Sequence, residues 1–243
     1  MRLYGLIGFP LSHSFSKKYF TEKFEKEGIE AQYELFELPI ITNLPALFEK
    51  YPTLKGLNVT IPHKKAVVPY LTRLAPSAEK VGAVNVIKIE QDGSLTGHNT
   101  DYIGFRTTLE KFIAQNKAPM QALLLGNGGA AKAVEAVLKD LNMLYTIVAR
   151  AGGQASFEEL TSQMIAQHTL IVNTTPLGMM PHIDTLPALP YQALSPAHFV
   201  YDLVYNPAET LFLQKANAKG AHTHNGLAML YAQAEEAWRI FGN

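Results

Sequence analysis

A glycine-rich stretch in the middle of the chain has the residue types and spacing to hold a phosphate group. Ala122-Leu123-Leu124-Leu125-Gly126-Asn127-Gly128-Gly129-Ala130-Ala131-Lys132 reads G-x-G-x-x-A between an apolar strand-like run and a helix-like run. A pyrophosphate needs backbone N–H groups at close range. Gly126 permits the tight turn, Gly128 lets the chain approach without a Cβ, and Ala131 leaves room for helix and strand to pack. The helix start then adds positive potential, about 1 kcal/mol per interacting charge. An ordinary glycine turn between strand and helix is the simpler use of such a pattern, and the flanking strand and helix favour the nucleotide. The next strand, Tyr145-Thr146-Ile147-Val148-Ala149, ends in Arg150 where an acidic residue would otherwise bind an adenosine ribose. An arginine there suits a 2′-phosphate, which favours NADP(H) over NAD(H).

Three polar stretches interrupt the apolar runs of the first half: Ser12-His13-Ser14-Phe15-Ser16, Asn58-Val59-Thr60-Ile61-Pro62-His63-Lys64 and Asn99-Thr100-Asp101. Each follows a strand-like run, where α/β sheets place ligand sites. Singly, a serine-rich turn and an Asn-Thr-Asp triplet are also what helix capping calls for.

Short β-type runs alternate with helical runs almost throughout, the pattern of parallel sheets built from βα units. The first half reads as strands at 3–8, 32–38, 56–60 and 85–89 with helices at 15–27, 44–51 and 64–72, and a hairpin at Gln91-Asp92-Gly93-Ser94 leads into 95–98. In the first helix Phe15, Tyr19, Phe20 and Phe24 form one stripe, opposite Lys17, Lys18, Glu22 and Lys26. A helix at 103–115, ended by Asn116-Lys117-Ala118-Pro119, opens a fresh series: strands at 122–125, 145–149, 170–174 and 199–203, and helices at 130–141, 157–166, 209–219 and 227–241. The division falls near residue 101.

The 243 residues suit one large domain or two modest ones, and 47% hydrophobic against 17% charged residues excludes intrinsic disorder. No run approaches the ~20 apolar residues needed to cross a bilayer. Twenty-one basic and 21 acidic side chains cancel, so no global charge points to nucleic acid or an anionic membrane. The absence of cysteine excludes disulfides, thiolate metal sites and cysteine nucleophiles. The apolar start meets Pro10 too soon for a signal-peptide core, which reads as a cytoplasmic protein.

Together these stretches resemble the shikimate dehydrogenase family over nearly the whole chain. The resemblance is carried by Gly8-Phe9-Pro10-Leu11-Ser12-His13-Ser14-Phe15-Ser16, the Asn58 to Lys64 stretch, Gly82-Ala83-Val84-Asn85 and Gly97-His98-Asn99-Thr100-Asp101. Downstream it continues through the Gly126 turn, Asn173-Thr174-Thr175-Pro176-Leu177-Gly178-Met179, Tyr201-Asp202-Leu203-Val204-Tyr205-Asn206-Pro207 and Asn225-Gly226-Leu227-Ala228-Met229-Leu230 to Gln233.

The resemblance implies an α/β protein of two domains. Residues 1–101 plus 226–243 would form a substrate domain with a mostly parallel sheet, and 102–225 a Rossmann-like NADP-binding domain, with the active site in the cleft between them. It implies NADPH-dependent reduction of 3-dehydroshikimate to shikimate, in the route to chorismate and the aromatic amino acids. Lys64 would give a proton to the nascent hydroxyl or stabilise its charge, and Asp101 would hold the ammonium and accept a substrate hydroxyl. Ser14 and Ser16, with Tyr205 nearby, would bind the substrate carboxylate, and Thr60, Asn85 and Gln233 the ring hydroxyls and the region of the ketone. Gly126, Asn127, Gly128, Gly129, Ala130, Arg150, Met179 and Gly226 would bind the cofactor. The partners implied are the small-molecule substrate alone, without nucleic acid or membrane, in a monomer or homodimer.

The chain departs from the family pattern at several points. Lys17 replaces a usual proline, Tyr102 a usual glycine, and Ala149-Arg150-Ala151 a usual Asn-Arg-Thr, so one phosphate ligand remains of several. The chain also stops soon after its last helix. A quinate/shikimate dehydrogenase with relaxed NAD/NADP use and a non-catalytic dinucleotide-binding sensor are the competing expectations. His222 and His224 have metal-ligand types, but no carboxylate cluster lies near them in sequence, so no metal is expected. Trp238 and Phe241 read as core contacts of the last helix.

Overall fold

The structure, a computed structural model, describes residues 1–11, 14–116 and 120–242. Ser12 and His13 of the first polar stretch, and 117–119 at the end of an expected helix, lie outside the described residues. The described residues divide into two compact units: Met1–Thr100 with the chain from Ala234 onward, and Asp101–Gln233.

In the first unit, side chains alternate across each strand and so build a core on both sheet faces. Its elements are β1 (Arg2–Gly8), α1 (Phe15–Glu27), β2 (Ala31–Glu37), α2 (Leu44–Lys50), β3 (Leu54–Val59), α3 (His63–Ala66), β4 (Arg73–Leu74), α4 (Pro76–Val81), β5 (Val86–Ile89) and β6 (Leu95–His98). They form one sheet of order β2-β1-β3-β5-β6-β4. β1 pairs in parallel with β2 and β3, while β5 runs antiparallel to both β3 and β6. Tyr4 and Leu6 of β1 pack with Phe20 and Phe24 of α1 and with Trp238 and Phe241 near the C-terminus. Ile7 joins Phe36, Leu57, Val59 and Ile87 in a separate apolar cluster.

The second unit contains the rest: α5 (Thr100–Ile113, entered from the first unit), β7 (Gln121–Leu125), α6 (Gly129–Asp140), β8 (Leu144–Val148), α7 (Ser162–Gln167), β9 (Leu170–Asn173), β10 (Phe199–Asp202), α8 (Leu211–Asn217), β11 (His222–His224) and α9 (Leu227–Ile240). α9 begins in this unit and ends in the first. The sheet is fully parallel in the order β11-β10-β9-β7-β8. Buried parallel strands read as continuous apolar runs, as Leu123-Leu124-Leu125 and Leu170-Ile171-Val172 do. A lone parallel bridge between Val148 and Ala155 marks a rudimentary strand outside β8. Counted in chain order with that bridge as the third strand, the sheet has the 3-2-1-4-5-6 order of a dinucleotide-binding fold.

Four local expectations need correction. Residues 64–72 are not one helix: α3 gives way to a 3-10 turn at Val68–Tyr70, where Pro69 lacks the N–H to continue an α-helix, and then to β4. The short helix α4, opened by Pro76, was not foreseen. α7 begins later than 157, after Thr161 accepts a hydrogen bond from the Met164 N–H at its N-terminus. β11 was also not foreseen, and its His222 and His224 rings stack on Phe199 and Tyr201 with centroids 4.6 and 4.9 Å apart. No group of three or more His, Asp or Glu side chains able to hold a metal ion occurs among the described residues. Among the described residues no helix is long and apolar enough to cross a membrane.

A charge cluster ties α6 to β8. Partial burial alone would raise the Glu135 carboxyl, but hydrogen bonds from Lys139, Lys132 and the Tyr145 hydroxyl hold it down at about 2. A carboxyl depressed on folding stabilises the fold above its ordinary value of 4.5, and that contribution is lost as pH falls toward about 2. Urea unfolding of the wild type and Glu135→Gln should therefore differ at neutral pH and converge across that acid window.

Candidate functional site

Strand direction decides where the polar stretches of the first unit meet. β6 runs with β1 and β3, so the C-terminal ends of these strands share one edge of the sheet. Asn85 precedes the antiparallel β5 and arrives at that edge from the other direction: its C=O accepts from Val59 N at 2.8 Å and its N–H donates to His98 O at 3.0 Å. Thr60 and Lys64 follow β3, Ser14 and Ser16 follow β1, and Thr100 follows β6. The Lys64 C=O accepts from Val84 N at 2.7 Å, which fixes α3 beside the approach to β5. Lys64 is half-buried and Lys65 exposed.

Buried polar contacts set the backbone here. Asn85 Oδ1 accepts from Thr100 N at 2.7 Å, and its Nδ2 donates to Thr100 Oγ1 at 3.0 Å, with both residues buried. The Asn85 side chain thereby grips the residue before Asp101, a positioning contact that spacing alone did not disclose. Ser14 caps α1 by accepting from Lys17 N at 3.3 Å, a bond that the proline usual at that position has no N–H to make. Lys17 Nζ also pairs with Glu34 at 2.8 Å. The Tyr33 hydroxyl donates to Asn58 Oδ1 at 2.8 Å; burial pushes it well above its ordinary range, against a hydrogen bond with Ser16. The buried His63 ring bonds the Leu38 carbonyl through Nε2.

In the second unit, Asp101 occupies the first turn of α5. One turn on, a Cβ at Gly104 would sit 2.9 Å from Met229 O and 3.2 Å from Gln233 Cβ, so this glycine lets α9 approach the face that carries Asp101. Gln233 Nε2 donates to Leu230 O at 2.9 Å. Tyr102, in place of the usual glycine, is buried and donates its hydroxyl proton to Asp140 at the end of α6, while Arg106 donates to that hydroxyl at 3.1 Å.

The glycine turn lies between β7 and β9, the point where the strand order reverses and where ligands bind such sheets. Gly126 has φ +101°, and a Cβ there would meet Thr174 Oγ1 at 2.8 Å. No atom lies within 4 Å of a Cβ built on Gly128 or Gly129, and no side chain caps the start of α6, whose first N–H groups have no intrahelical acceptor. Ala130 follows in the first turn of the helix. This combination of room and backbone donors fits a dinucleotide pyrophosphate. Arg150 is exposed at the end of β8.

A buried network holds the neighbouring loops. Asp202 accepts from Asn173 Nδ2 at 2.9 Å, Val204 N at 3.0 Å and Thr210 Oγ1 at 2.6 Å. Asn173 Oδ1 in turn accepts from the Thr175 N–H at 3.0 Å and hydroxyl at 2.6 Å. Burial raises the Asp202 carboxyl above its ordinary value, with those three donors pulling the other way. Through Met180 N to Asn206 O at 3.1 Å, the loop bearing the exposed Met179 is tied to the loop bearing the exposed Tyr205. Gly226 N donates to Val204 O at 3.1 Å, bringing the start of α9 to the same place. No role was expected of Asp202, Asn173 or Thr210; for Asn173 and Asp202, a polar residue closing an otherwise apolar strand was the signal available.

Comparison with known proteins gives a consistent picture. Residues 6–87 match the family model of the shikimate dehydrogenase substrate binding domain. A shikimate dehydrogenase (NADP(+)) of Clostridium beijerinckii is 40% identical, over 98% of this chain and 92% of that protein. The crystal structure of the Thermus thermophilus shikimate 5-dehydrogenase in complex with NADP(H) and shikimate is 30% identical, with TM-score 0.83, over 100% of this chain and 94% of that one. That of the Listeria monocytogenes shikimate 5-dehydrogenase in complex with shikimate and NAD is 30% identical, with TM-score 0.86, over 99% and 91%.

Because Asn173 supplies a donor to a fully buried carboxylate, Asn173→Ala should lower the unfolding free energy by about 2 kcal/mol. Urea denaturation followed by circular dichroism measures it, and an unchanged midpoint would show that the network contributes nothing.

Proposed function

Since the chain belongs to the shikimate dehydrogenase family, we propose that it catalyses the reversible NADPH-dependent reduction of 3-dehydroshikimate to shikimate, in the cytoplasmic route to chorismate. The observation that carries this reading is the ordered series of motifs, from Ser14 to Gln233, on a chain similar to its relatives over nearly their whole length. The first unit takes the substrate role and the second the NADP role.

The nicotinamide, when bound, supplies the hydride or accepts it. The chain's own part begins with charge: a ketone oxygen gaining hydride develops negative charge and needs a proton or a cation. Lys64, on the short helix beyond β3, meets that need as proton donor or as stabilising charge. Asp101 accepts a substrate hydroxyl and favours the lysine ammonium. Ser14 and Ser16 donate to the substrate carboxylate with Tyr205 nearby, and Thr60, Asn85 and Gln233 hold the ring hydroxyls and the region of the ketone. The role given to Asn85 has to be met alongside its bonds to Thr100. Gly126, Gly128, Gly129, Ala130 and the backbone of Asn127 cradle the pyrophosphate, Arg150 faces the adenosine ribose, Met179 borders the nicotinamide, and Gly226 binds the cofactor as well. A polyol site that leaves its own polar groups unsatisfied with a poorer ligand rejects analogues lacking a hydroxyl.

Purified protein mixed with shikimate and NADP+ should generate reduced nicotinamide absorbance. Absence of turnover by folded protein that still binds NADPH would favour a sensor. Higher kcat/KM for quinate with NAD+ than for shikimate with NADP+ would favour the relaxed dehydrogenase. Lys64→Ala should lower kcat by about 10² or more, and wild-type turnover in that variant would remove Lys64 from the mechanism.

A further inference from the structure

The connection after β8 is short for the strand order it serves. Parallel neighbours are ordinarily joined by a crossover of about a dozen residues or more, usually with a helix. Here only residues 149–154 separate Val148 from its parallel partner Ala155, and none of them is helical. The segment is pinned to the strand it leaves. Ala149 N donates to Ala155 O at 3.0 Å, Gln154 N to Ile147 O at 2.8 Å, and Ile147 N to Gln154 Oε1 at 2.7 Å. Glycine makes the route passable: Gly152 has φ +68°, and a Cβ on Gly153 would lie 2.9 Å from backbone atoms of Ile147, Ala149 and Ala155.

The segment therefore brings no crossover helix to the adenosine end of the nucleotide site, and its single cation is Arg150. Asn127, on the glycine turn, reaches across to it: Asn127 Nδ2 donates to Ala151 O at 2.6 Å. A Cβ on Gly152 would come within 3.3 Å of the same nitrogen, so the fit between turn and segment is close.

Resting on the dinucleotide reading above, we propose that Asn127 is a specificity-determining positioning residue, whose bond to Ala151 O holds Arg150 against the glycine turn for the 2′-phosphate of NADP(H). Asn127 acts through the segment and not on the phosphate, in place of the crossover that would otherwise brace it. An unbraced arginine on a glycine-rich segment loses rotational and backbone freedom on meeting a phosphate, and that loss weakens binding of the 2′-phosphate selectively.

The test is calorimetric binding of adenosine 2′,5′-bisphosphate and adenosine 5′-monophosphate to the full chain, with melting temperature recorded alongside. The wild type should prefer the bisphosphate. Asn127→Ala should weaken the bisphosphate about fivefold and the monophosphate distinctly less, so that the preference between the two falls. Arg150→Ala should abolish the preference, and adding Asn127→Ala to it should change nothing further. Asn127→Asp, which removes the donor and adds a negative charge, should weaken the bisphosphate more than Asn127→Ala does. The proposal is overturned if Asn127→Ala keeps the wild-type preference, if it weakens both ligands equally, or if the wild type has no preference. Wild-type protein that binds neither nucleotide would overturn the dinucleotide reading as well.

Discussion

Parallel strands send every following loop to the same edge of a sheet, and the rest of this molecule depends on that constraint. In the first unit it draws together the residues after β1, β3 and β6, and the antiparallel β5 delivers Asn85 to the same edge from the opposite direction. In the second unit all strands are parallel, so the Gly126 turn, Arg150, Thr174 and Tyr205 follow strands that point the same way. Residues distant in sequence become neighbours in each unit because backbone hydrogen bonding fixes direction, before any side chain contributes.

Direction alone places loops only coarsely, and the finer placement comes from buried polar side chains at the strand ends. Asn85 with Thr100, Tyr33 with Asn58, and Asn173 with Asp202 and Thr210 are each buried and hydrogen-bonded. A buried polar group without partners is costly, so each bond specifies one loop geometry and penalises the alternatives. Asn85 shows how this bears on chemistry: its amide holds the entry to α5, and Asp101 is the next residue. Asp202 does the same for two loops at once, one carrying Met179 and the other Tyr205.

Departures from the family pattern are met by local substitutes. Lys17 supplies the N–H that Ser14 caps, and Tyr102 joins α5 to the end of α6 through Asp140. Separately, the third strand of the parallel sheet is a single bridge, with two glycines and the Asn127 amide shaping the segment that leads to it. The sheet has its strand order without the covering that a longer crossover would provide.

The alternation of apolar strands and amphipathic helices, the glycine turn after β7 and the polar residues beyond β1, β3 and β6 were readable in the chain itself. Side-chain period and local turn chemistry are properties of adjacent residues. Strand direction, the shared edge, and the partners of Asn85, Asp202 and Asn127 were not, because hydrogen bonds between residues 15 to 29 positions apart leave no periodic trace in sequence. The break after α3 and the three-residue β11 escaped for a related reason: elements that short draw their stability from neighbours rather than from their own residues. The sequence determined which groups could do chemistry and which elements would carry them. The tertiary structure decided which of those groups are held in place by buried bonds, since only folding removes water from the competition for a donor or an acceptor.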